Sequence, residues 1–389
     1  MNSNILSPEI QKFITANLNV DLQKFLLKKS LFSGVSSLEL AQQILGRQIA
    51  QKKFPFMLAE NIIFPPHLNL EQASSEAAAR YKQSFISGRN GIDLTGGIGI
   101  DSFFISQNAE YYYFTEPDEQ LLEIVRHNFS VLGRKNITFL NQTAEDFLEQ
   151  NRQQFDFVFL DPSRRDKNQN KKFFLNDLSP NLLEIENSLH EISEQIFVKL
   201  SPLLDLQYLI RQIKVSEIHI VSIKNEAKEI IVKLSKISNE NPVVQCVNLE
   251  TSQPDFSFSW QDEKNAENPQ YGEPQSFLFL PNSSVLKAGA FKLTAQKFGL
   301  KKLHPSTHVY TFDKAIKGFC GRVFGVMEEN FNPKKSVQKN FSIISRNYPM
   351  KAEEIKKKYC LAESESQYLF FVKTLKGLRC ISAKIVPDF

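Results

Sequence analysis

The chain has 389 residues, of which 42% are hydrophobic, and a formal net charge of +4. A chain of this length can bury a large core and exceeds one ordinary domain, so we expect two or three domains. Its start lacks a basic stretch followed by an apolar run, and no run of about 18 apolar residues occurs, so neither a signal peptide nor a membrane span is supported. We therefore expect a cytoplasmic protein without a membrane partner.

The spacing of the cysteines and the distribution of charge restrict the class of protein further. The four cysteines lie far apart and form no Cys-x-x-Cys pair, which is typical of reduced thiols and gives no zinc framework. Residues 285–389 contain 20 Lys and Arg against 8 Asp and Glu, a net charge of +12, whereas residues 1–284 have a net charge of −8. A local excess of this kind indicates contact with phosphates, although a lysine-rich solvated surface would have the same composition.

Helices are predicted for the first 88 residues, because apolar residues recur there at spacings of three and four. Ser37 and Asn69 are the predicted N-caps, and Asn69 with Gln72 resembles a capping box. The predicted helical segments are LSPEIQKFITANL, DLQKFLLKKS, SLELAQQILGRQI and NLEQASSEAAARYKQSFIS.

A different pattern begins at Gly91. Short runs rich in valine, isoleucine, phenylalanine and tyrosine alternate with helical patterns, which predicts a largely parallel α/β sheet covered on both faces. The predicted strands are GIDLT, YYYFTE, ITFLNQ, FDFVFL, IFVKLS, EIHIVSI and VVQCVNL. The polar residues 251–274 are interpreted as a boundary or a long loop.

The last part of the chain is predicted to be mixed α/β. PNSSVLKAGAFKLTAQKFGLKK is predicted to be a helix capped by Ser283 or Ser284 and ended by Gly299 in a left-handed conformation. The strand-like runs VYTF, GRVFGVM, FSIIS, YLFFVKTL and RCISAKIV follow, with the helix MKAEEIKKKY among them. The predicted domains are residues 1–88, 89–274 and 275–389.

Candidate site residues follow the predicted strands, because ligands of open parallel sheets bind at the carboxyl ends of the strands. The first strand continues into Asp93-Leu-Thr-Gly-Gly-Ile-Gly-Ile-Asp101, where Gly97 and Gly99 would let the backbone turn tightly and approach a ligand. Glycines after a strand also form simple turns. The second strand ends at Glu116, 23 residues after Asp93, where a carboxylate can accept hydrogen bonds from both hydroxyls of a ribose.

Two further strand ends are acidic. The third predicted strand is followed by Thr143-Ala-Glu-Asp146, a turn that could hold an adenine or could be a plain helix N-cap. The fourth predicted strand ends at Asp161-Pro162, directly before two arginines.

In order and spacing, these four strand ends resemble the class I S-adenosylmethionine-dependent methyltransferases, over roughly residues 91 to 250. The resemblance implies a Rossmann-like sheet and S-adenosylmethionine as cofactor. Thr95 stands where the family usually has a glycine, and Thr143 where it often has an aspartate that contacts adenine. The cofactor-binding residues that the resemblance implies are Asp93, Thr95, Gly97, Gly99, Asp101, Glu116, Ala144 and Glu145.

A narrower resemblance covers nearly the whole chain. The strings EQASSEAAARYK, DLTGGIGIDSFF, DPSRR, VKLSPLLD, SIKNEAKEI, PNSSVLKAGAF and RNYP resemble a bacterial methyltransferase family with a ferredoxin-like segment and a THUMP-like domain at the C-terminal end. THUMP domains are RNA-binding modules of tRNA-modifying enzymes. The resemblance therefore implies an RNA substrate, tRNA or rRNA, in agreement with the basic residues 285–389.

The catalytic residues are predicted around the fourth strand end. Methyl transfer from a sulfonium is an in-line displacement, so the protein must mainly hold the acceptor and the methyl carbon in near-attack geometry. Amine-methylating relatives hold an exocyclic amine with a four-residue motif: an acid or amide, two prolines and an aromatic residue. Asp161 and Pro162 match the first two positions of this motif, but Ser163 and Arg164 do not match the last two. Arg164 and Arg165 could clamp a phosphate, and Arg164 could stack on a base. Alternatively, Asp161 caps the following turn and the arginines are solvated.

Four further residues are candidates for contacts with the substrate or the cofactor. Lys199 and Ser201 close the fifth predicted strand and could reach the substrate, or could simply end the strand. Ser75 and Glu76, shortly before the glycine loop, could face the cofactor.

The sequence disfavours two other functions and leaves two open. A 5-methylpyrimidine mechanism needs a cysteine near the fourth or fifth strand end, and none is there. A nicotinamide-dependent oxidoreductase is disfavoured because Ser102 occupies the third glycine position of the dinucleotide motif and no second mononucleotide half follows. Non-catalytic RNA binding on a methyltransferase fold and methyl transfer to a substrate other than RNA both stay open.

Overall fold

The computed structural model describes residues 2–26, 31–164, 174–237 and 241–387. The chain divides into two compact units, which are residues 1–215 with 231–238 and residues 216–230 with 239–389. Within the described ranges, no helix combines the length and the apolar composition that a membrane crossing requires.

The first unit begins with helices. These are α1 (Pro8–Ala16), α2 (Leu22–Leu26), α3 (Ser37–Lys53), α4 (His67–Gln72) and α5 (Glu76–Gln83). Helix α3 is capped by Ser36 in a capping box with Glu39, so the predicted cap is wrong by one residue. The predicted cap at Asn69 is also wrong, because α4 begins at His67 and contains Asn69. The segment predicted as one helix is two, since the Ser75 side chain accepts a hydrogen bond from the N–H of Ala78 and starts α5.

A parallel sheet forms the centre of the first unit. Its strands are β1 (Asn90–Asp93), β2 (Tyr111–Thr115), β3 (Ile137–Leu140), β4 (Phe157–Leu160) and β7 (Ile196–Leu200), in the order β7-β4-β1-β2-β3. Neighbouring strands in this order are parallel, as predicted. Because β1 lies between β4 and β2, the carboxyl ends of these three strands meet at one edge. The short strands β5 (Ser163–Arg164) and β6 (Leu178–Ser179) pair with each other in an antiparallel ladder.

Helices connect these strands. They are α6 (Ile100–Ile105), α7 (Glu119–Val131), α8 (Ala144–Gln150), α9 (Leu182–Ile192) and α10 (Leu206–Gln212). Helices α6 and α7 pack with α3, α4 and α5 into a core that includes Phe54, Phe64, Phe104, Phe114 and Phe129. All four residues of β4 are buried, which agrees with its continuous apolar sequence.

The next strands are β8 (Val215–Ile223), β9 (Glu226–Leu234), β10 (Val243–Leu249) and β11 (Phe256–Ser259), followed by helix α11 (Trp260–Asn265). The residues of β9, which the sequence did not predict as a strand, are divided between the two units. Strand β10 pairs in parallel with β8 and antiparallel with β11. The interpretation of residues 251–274 as a boundary or loop is therefore wrong for β11 and α11, and Trp260 is buried.

A second sheet occupies the remainder of the second unit. Its strands are β12 (Phe277–Pro281), β13 (Lys301–His304), β14 (Thr307–Phe312), β15 (Gly321–Glu328), β16 (Ser342–Arg346), β17 (Gln367–Thr374) and β18 (Gly377–Ile385). Their order is β13-β14-β12-β15-β18-β17-β16, antiparallel except for the parallel pair β16 and β17. The helices are α12 (Ser283–Ala288), α13 (Phe291–Phe298) and α14 (Ala352–Tyr359).

The helix predicted after β12 is interrupted. Gly289 adopts a φ of +73° and ends α12, and Asn282, rather than a serine, caps its start. Gly299 has a φ of +63° and ends α13, as predicted.

Candidate active site at the carboxyl ends of the strands

The glycine loop that follows β1 has one packed side and one open side. Gly97 and Gly99 adopt φ values of +58° and +77°, a region that disfavours other residues. A Cβ atom on Gly99 would lie 2.8 Å from the ring of Phe129, so packing also requires glycine there. A Cβ atom on Gly97 would meet nothing nearer than the carbonyl oxygen of Thr95 at 3.8 Å. The backbone at Gly97 is therefore open to a ligand.

Glu116 joins the end of β2 to this loop. Its side chain is buried, and one carboxylate oxygen accepts a hydrogen bond from the N–H of Gly97 at 2.9 Å. The other oxygen accepts one from the N–H of Asp118, also at 2.9 Å. Burial raises the pKa of Glu116, against these two hydrogen bonds. The structure thus brings the predicted ribose-binding acid against the open part of the loop.

Asp93 supports the loop from within. Its carboxylate accepts hydrogen bonds from the N–H of Thr95 at 2.9 Å, from the hydroxyl of Thr95 at 3.3 Å and from the hydroxyl of Ser102. The Ser102 oxygen lies 3.0 Å from the hydroxyl of Tyr112 on β2. Burial raises the pKa of Asp93 to about 7. Asp93 is 2% exposed, so its contacts are with the loop itself.

Thr95 connects the ends of two strands. Its hydroxyl oxygen accepts a hydrogen bond from the N–H of Asp161 at 2.5 Å, while its own hydroxyl faces Asp93. A glycine at this position could form neither contact. The departure from the usual glycine therefore fixes the start of the Asp161 segment relative to β1.

Four ionisable side chains alternate in sign from the mouth of the site into the core. Lys199 Nζ lies 2.5 Å from Asp161 Oδ2 and 3.7 Å from Asp101 Oδ2, and Lys82 Nζ lies 3.0 Å from Asp101 Oδ1. Ser74 donates a further hydrogen bond to Asp101 at 2.7 Å. The exposed side-chain fractions of Asp161, Lys199, Asp101 and Lys82 are 38%, 11%, 9% and 0%. We call these four residues the acid–lysine chain.

The two carboxylates of this chain respond differently to their surroundings. Burial raises the pKa of Asp161, and Lys199 opposes the shift. Burial also disfavours the charged form of Asp101, but Lys82, Lys199 and Ser74 together hold its pKa below the usual range. Asp101 is thus a fixed anion between two lysines, whereas Asp161 is the end of the chain that solvent reaches.

Sequence reasoning missed Lys82 and Ser74. The sequence contained a signal for Lys82, because a residue four positions after Ala78 lies on the same apolar face of the helix. The structure buries Ala78, Ala79 and Lys82 together on α5. The neighbouring candidates Ser75 and Glu76 have structural partners instead. Ser75 caps α5, and Glu76 accepts a hydrogen bond from the N–H of Phe56 at 3.2 Å.

The acidic turn after β3 is a helix N-cap. The Thr143 hydroxyl oxygen accepts a hydrogen bond from the N–H of Asp146 at 3.1 Å and donates to its carboxylate at 2.7 Å. Ala144 is buried and Glu145 is half-buried at the start of α8. Adenine binding at this turn stays a prediction.

The predicted catalytic segment is described in part. Pro162 is buried beside Asp161, and Ser163 with Arg164 forms β5, whose partner strand β6 ends at Ser179. Arg164 is half-buried. The predicted catalytic residue Arg165 lies outside the described residues.

Three families match successive parts of the chain. The family described as conserved hypothetical protein 95 matches residues 76–189, which include the glycine loop and Asp161. A ferredoxin-like domain matches residues 277–319, and a THUMP domain-like family matches residues 321–384.

Two known proteins that are similar to this chain carry the name methyltransferase. A protein of Porphyromonas gingivalis W83, provisionally named a methyltransferase, is 26% identical, with a TM-score of 0.85 over 99% of this chain and 98% of its own. An uncharacterised RNA methyltransferase of Mycoplasma mobile is 34% identical over 76 residues, which are 20% of this chain and 21% of that protein. The fold is that of a methyltransferase. Within this chain, the parts that match a ferredoxin-like domain and a THUMP domain-like family follow the part that contains the glycine loop and Asp161.

Proposed function

We propose that this protein transfers the methyl group of S-adenosylmethionine to a nucleotide of tRNA or rRNA. The observation that carries the proposal is the contact of the Glu116 carboxylate with the open glycine loop at Gly97. It supports a ribose-binding acid beside a backbone that a ligand can approach. Asp161 and Lys199 lie at the ends of neighbouring strands, where the methyl acceptor would meet the cofactor.

The residues present fit this cofactor. Glu116 would bind the ribose hydroxyls, the open face at Gly97 would allow close approach, and the start of α8 at Ala144 and Glu145 would border the adenine. Asp93 and Thr95 would keep the loop in place. When bound, the cofactor supplies an electrophilic methyl carbon on a positively charged sulfur. An edge rich in carboxylates suits this positive charge.

The second unit contains a feature that suits RNA. A cavity of about 450 Å³ is lined by Leu280, Arg322, Ile343, Ile344, Ser345, Arg346, Asn347, Tyr348, Met350, Lys351 and Ala352. This lining includes Arg322, Arg346 and Lys351, and no acidic side chain. Burial and the neighbouring Arg322 lower the pKa of Arg346. Cations held together without a carboxylate attract a polyanion, so the cavity supports contact with RNA phosphates.

Cofactor binding is tested by calorimetry with S-adenosylhomocysteine. We expect binding to the full chain, and roughly 10- to 100-fold weaker binding to Glu116→Gln, since hydrogen bonds to charged groups contribute about 1.5–3 kcal/mol. Glu119→Gln, an exposed change in the first turn of α7, is the matched control and should bind like the unchanged protein. Absence of binding to folded protein would refute the cofactor assignment.

The substrate is tested by mass spectrometry of nucleosides from tRNA and rRNA of cells with and without the gene. We expect one methylated nucleoside to be missing in cells that lack it. Asp161→Asn, expressed in those cells, should not restore the nucleoside, although the purified variant should still bind S-adenosylhomocysteine. Full restoration by the variant would contradict the role of Asp161. Methyl incorporation into protein instead of RNA would contradict the RNA substrate.

A further inference from the structure

The pairing of Asp161 with Lys199 bears on which atom is methylated. We propose that this pair selects an acceptor that loses a proton as it reacts, a hydroxyl or a ring N–H of the RNA, over an exocyclic amine. The inference rests on the proposed function, because it names the chemistry of the acceptor at the same site.

The pair is fixed in place from several sides. The Asp161 backbone N–H donates to Thr95, and the Asp161 carboxylate lies 2.5 Å from the Lys199 ammonium. Lys199 is held in turn by Asp101 at 3.7 Å. Asp101 is anchored by the fully buried Lys82. A lysine placed between two carboxylates and 11% exposed keeps its ammonium next to Asp161.

An exocyclic amine would meet the wrong charge at this position. When an amine nitrogen takes a methyl group it gains positive charge before it releases its proton. The Lys199 ammonium, at hydrogen-bond distance from the carboxylate that would receive the amine, opposes that charge, and a partly buried site screens the repulsion weakly. In the pattern of amine-methylating relatives the aromatic that supports a flipped base stands two residues after this proline, and Arg164 holds that position here.

An acceptor that loses a proton meets the right charges. The Asp161 carboxylate can accept a hydrogen bond from an O–H or a ring N–H, and the adjacent ammonium stabilises the negative charge that remains on the acceptor atom. In the transfer step, the bond from the acceptor atom to hydrogen breaks and the proton passes to Asp161. The acceptor atom forms a bond to the methyl carbon, and the bond from that carbon to sulfur breaks with its electron pair going to sulfur. Asp161 then releases the proton to solvent, which reaches it.

The buried part of the chain is better explained by positioning than by stability. Burying an ion pair commonly stabilises a protein less than apolar side chains of the same volume do. Lys82 and Asp101 are nevertheless buried behind the pair, and Ser74 donates a hydrogen bond to Asp101 and accepts one from Lys82. Asp101 also lies 3.7 Å from Lys199, so this buried pair stands directly behind Lys199 and, through it, Asp161. We therefore regard Lys199 as a positioning residue whose charge also acts on the acceptor.

The test uses the full chain, methyl-labelled S-adenosylmethionine and total RNA from cells that lack the gene. Mass spectrometry of the labelled nucleosides distinguishes a methyl group on the sugar from one on the base, and a ring nitrogen from an exocyclic amine. A methyl group on a ribose oxygen, or on a ring nitrogen that carries a hydrogen in the unmodified base, supports the inference and tells the two sources apart. A methyl group on an exocyclic amine, on carbon or on a ring nitrogen that carries no hydrogen overturns it.

Two variants separate this role from a structural one. Lys199→Met should lower the transfer rate about 100-fold, the effect typical of losing one charge-stabilising group. It should also move the rising limb of the pH–rate profile up by about one unit, because Lys199 lowers the pKa of Asp161. Lys199→Arg keeps the charge and should recover much of the rate and the original limb. Unchanged or faster transfer by Lys199→Met would overturn the inference.

Failure of the proposed function has a different outcome. If the folded protein binds no S-adenosylhomocysteine, the cofactor assignment fails and the inference falls with it. If the protein binds S-adenosylhomocysteine but methylates an exocyclic amine, the proposed function stands and only the inference is wrong.

Discussion

Positive charge is handled in opposite ways in the two units. In the first unit, both lysines of the acid–lysine chain lie within 4 Å of a carboxylate, the longest of these distances being 3.7 Å. In the second unit, Arg322, Arg346 and Lys351 line one cavity whose lining contains no acid. The first arrangement fixes atoms in place, and the second leaves charge available to a ligand.

The contrast has an energetic basis. A buried charge without its partner is strongly destabilising, so Lys82 and Asp101, the buried end of the acid–lysine chain, depend on each other. Solvent-accessible cations do not depend on one another in that way, and their mutual repulsion is relieved when an anion binds. Mutations in the first region should therefore change stability or chemistry, whereas mutations in the second should change binding.

The largest expected effect tests the buried end of the chain. Lys82→Met should lower the free energy of unfolding by about 3–5 kcal/mol, because Asp101 would keep its burial and lose its closest cation. Urea denaturation at neutral pH measures this. In the matched double variant, Lys82→Met with Asp101→Asn, most of the stability should return. If Lys82→Met alone is as stable as the unchanged protein, the ion pair of Lys82 and Asp101 makes no contribution to the free energy of unfolding.

The next effect concerns the pH dependence of stability. The folded protein raises the pKa of Asp93 from the ordinary value of 3.8 to about 7, so the folded state binds this proton more tightly than the unfolded state. The stability linked to Asp93 is therefore complete below pH ~4 and is lost as the pH rises through about 7, by a few kcal/mol. Asp93→Asn removes this contribution, so its stability relative to the unchanged protein should increase between pH 5 and pH 8.

Urea denaturation of both proteins at several pH values gives the comparison. Glu116 and Asp161 also have raised pKa values, but both residues are present in both proteins, so most of their contribution cancels in the difference. A difference that does not depend on pH would mean that Asp93 is ionised throughout this range.

The third effect separates packing from ligand approach within the glycine loop. Gly99→Ala has two costs, a Cβ atom only 2.8 Å from Phe129 and a φ that is unfavourable for alanine. We therefore expect the free energy of unfolding to fall by about 2–3 kcal/mol. Gly97→Ala has only the unfavourable φ and should lose about 1 kcal/mol. Its Cβ atom would instead face the open side, and we expect weaker S-adenosylhomocysteine binding by calorimetry. Equal stability of the two variants would contradict this division of the loop.

The sequence predicted the first region better than the second for a physical reason. Strands β2 and β4 are runs of apolar and aromatic residues, and an acidic residue ends or directly follows β1, β2 and β4; both signals are local. Asp93, Glu116 and Asp161 could therefore be placed at one sheet edge before the structure was known. Lys82 could not, because its role depends on a partner 19 residues away whose direction the sequence does not give.

Elements whose signals conflict were predicted less well. One long helix was predicted where α12 and α13 lie, because its apolar spacing continues through Gly289, yet that residue takes a left-handed conformation. Strand β9 alternates charged and small residues at its start, which hides the buried Ile230, Ile231 and Val232. The cavity in the second unit combines residues from β12, β15, β16 and the segment before α14. The basic composition of residues 285–389 indicated the positive charge of the cavity but not the place of the cavity in the fold.

The smallest expected effect concerns this cavity. Arg346→Gln should weaken binding of total tRNA roughly tenfold or less, and should reduce the slope of log affinity against log salt by about 1, since one phosphate contact is lost. Lys314→Gln is the matched control, because this exposed lysine carries the same charge and does not line the cavity. Filter binding at salt concentrations between roughly 50 and 200 mM measures the affinity and this slope. If both variants lowered the slope equally, the positive charge of the second unit would act as a diffuse field, and the cavity would have no special part in binding RNA.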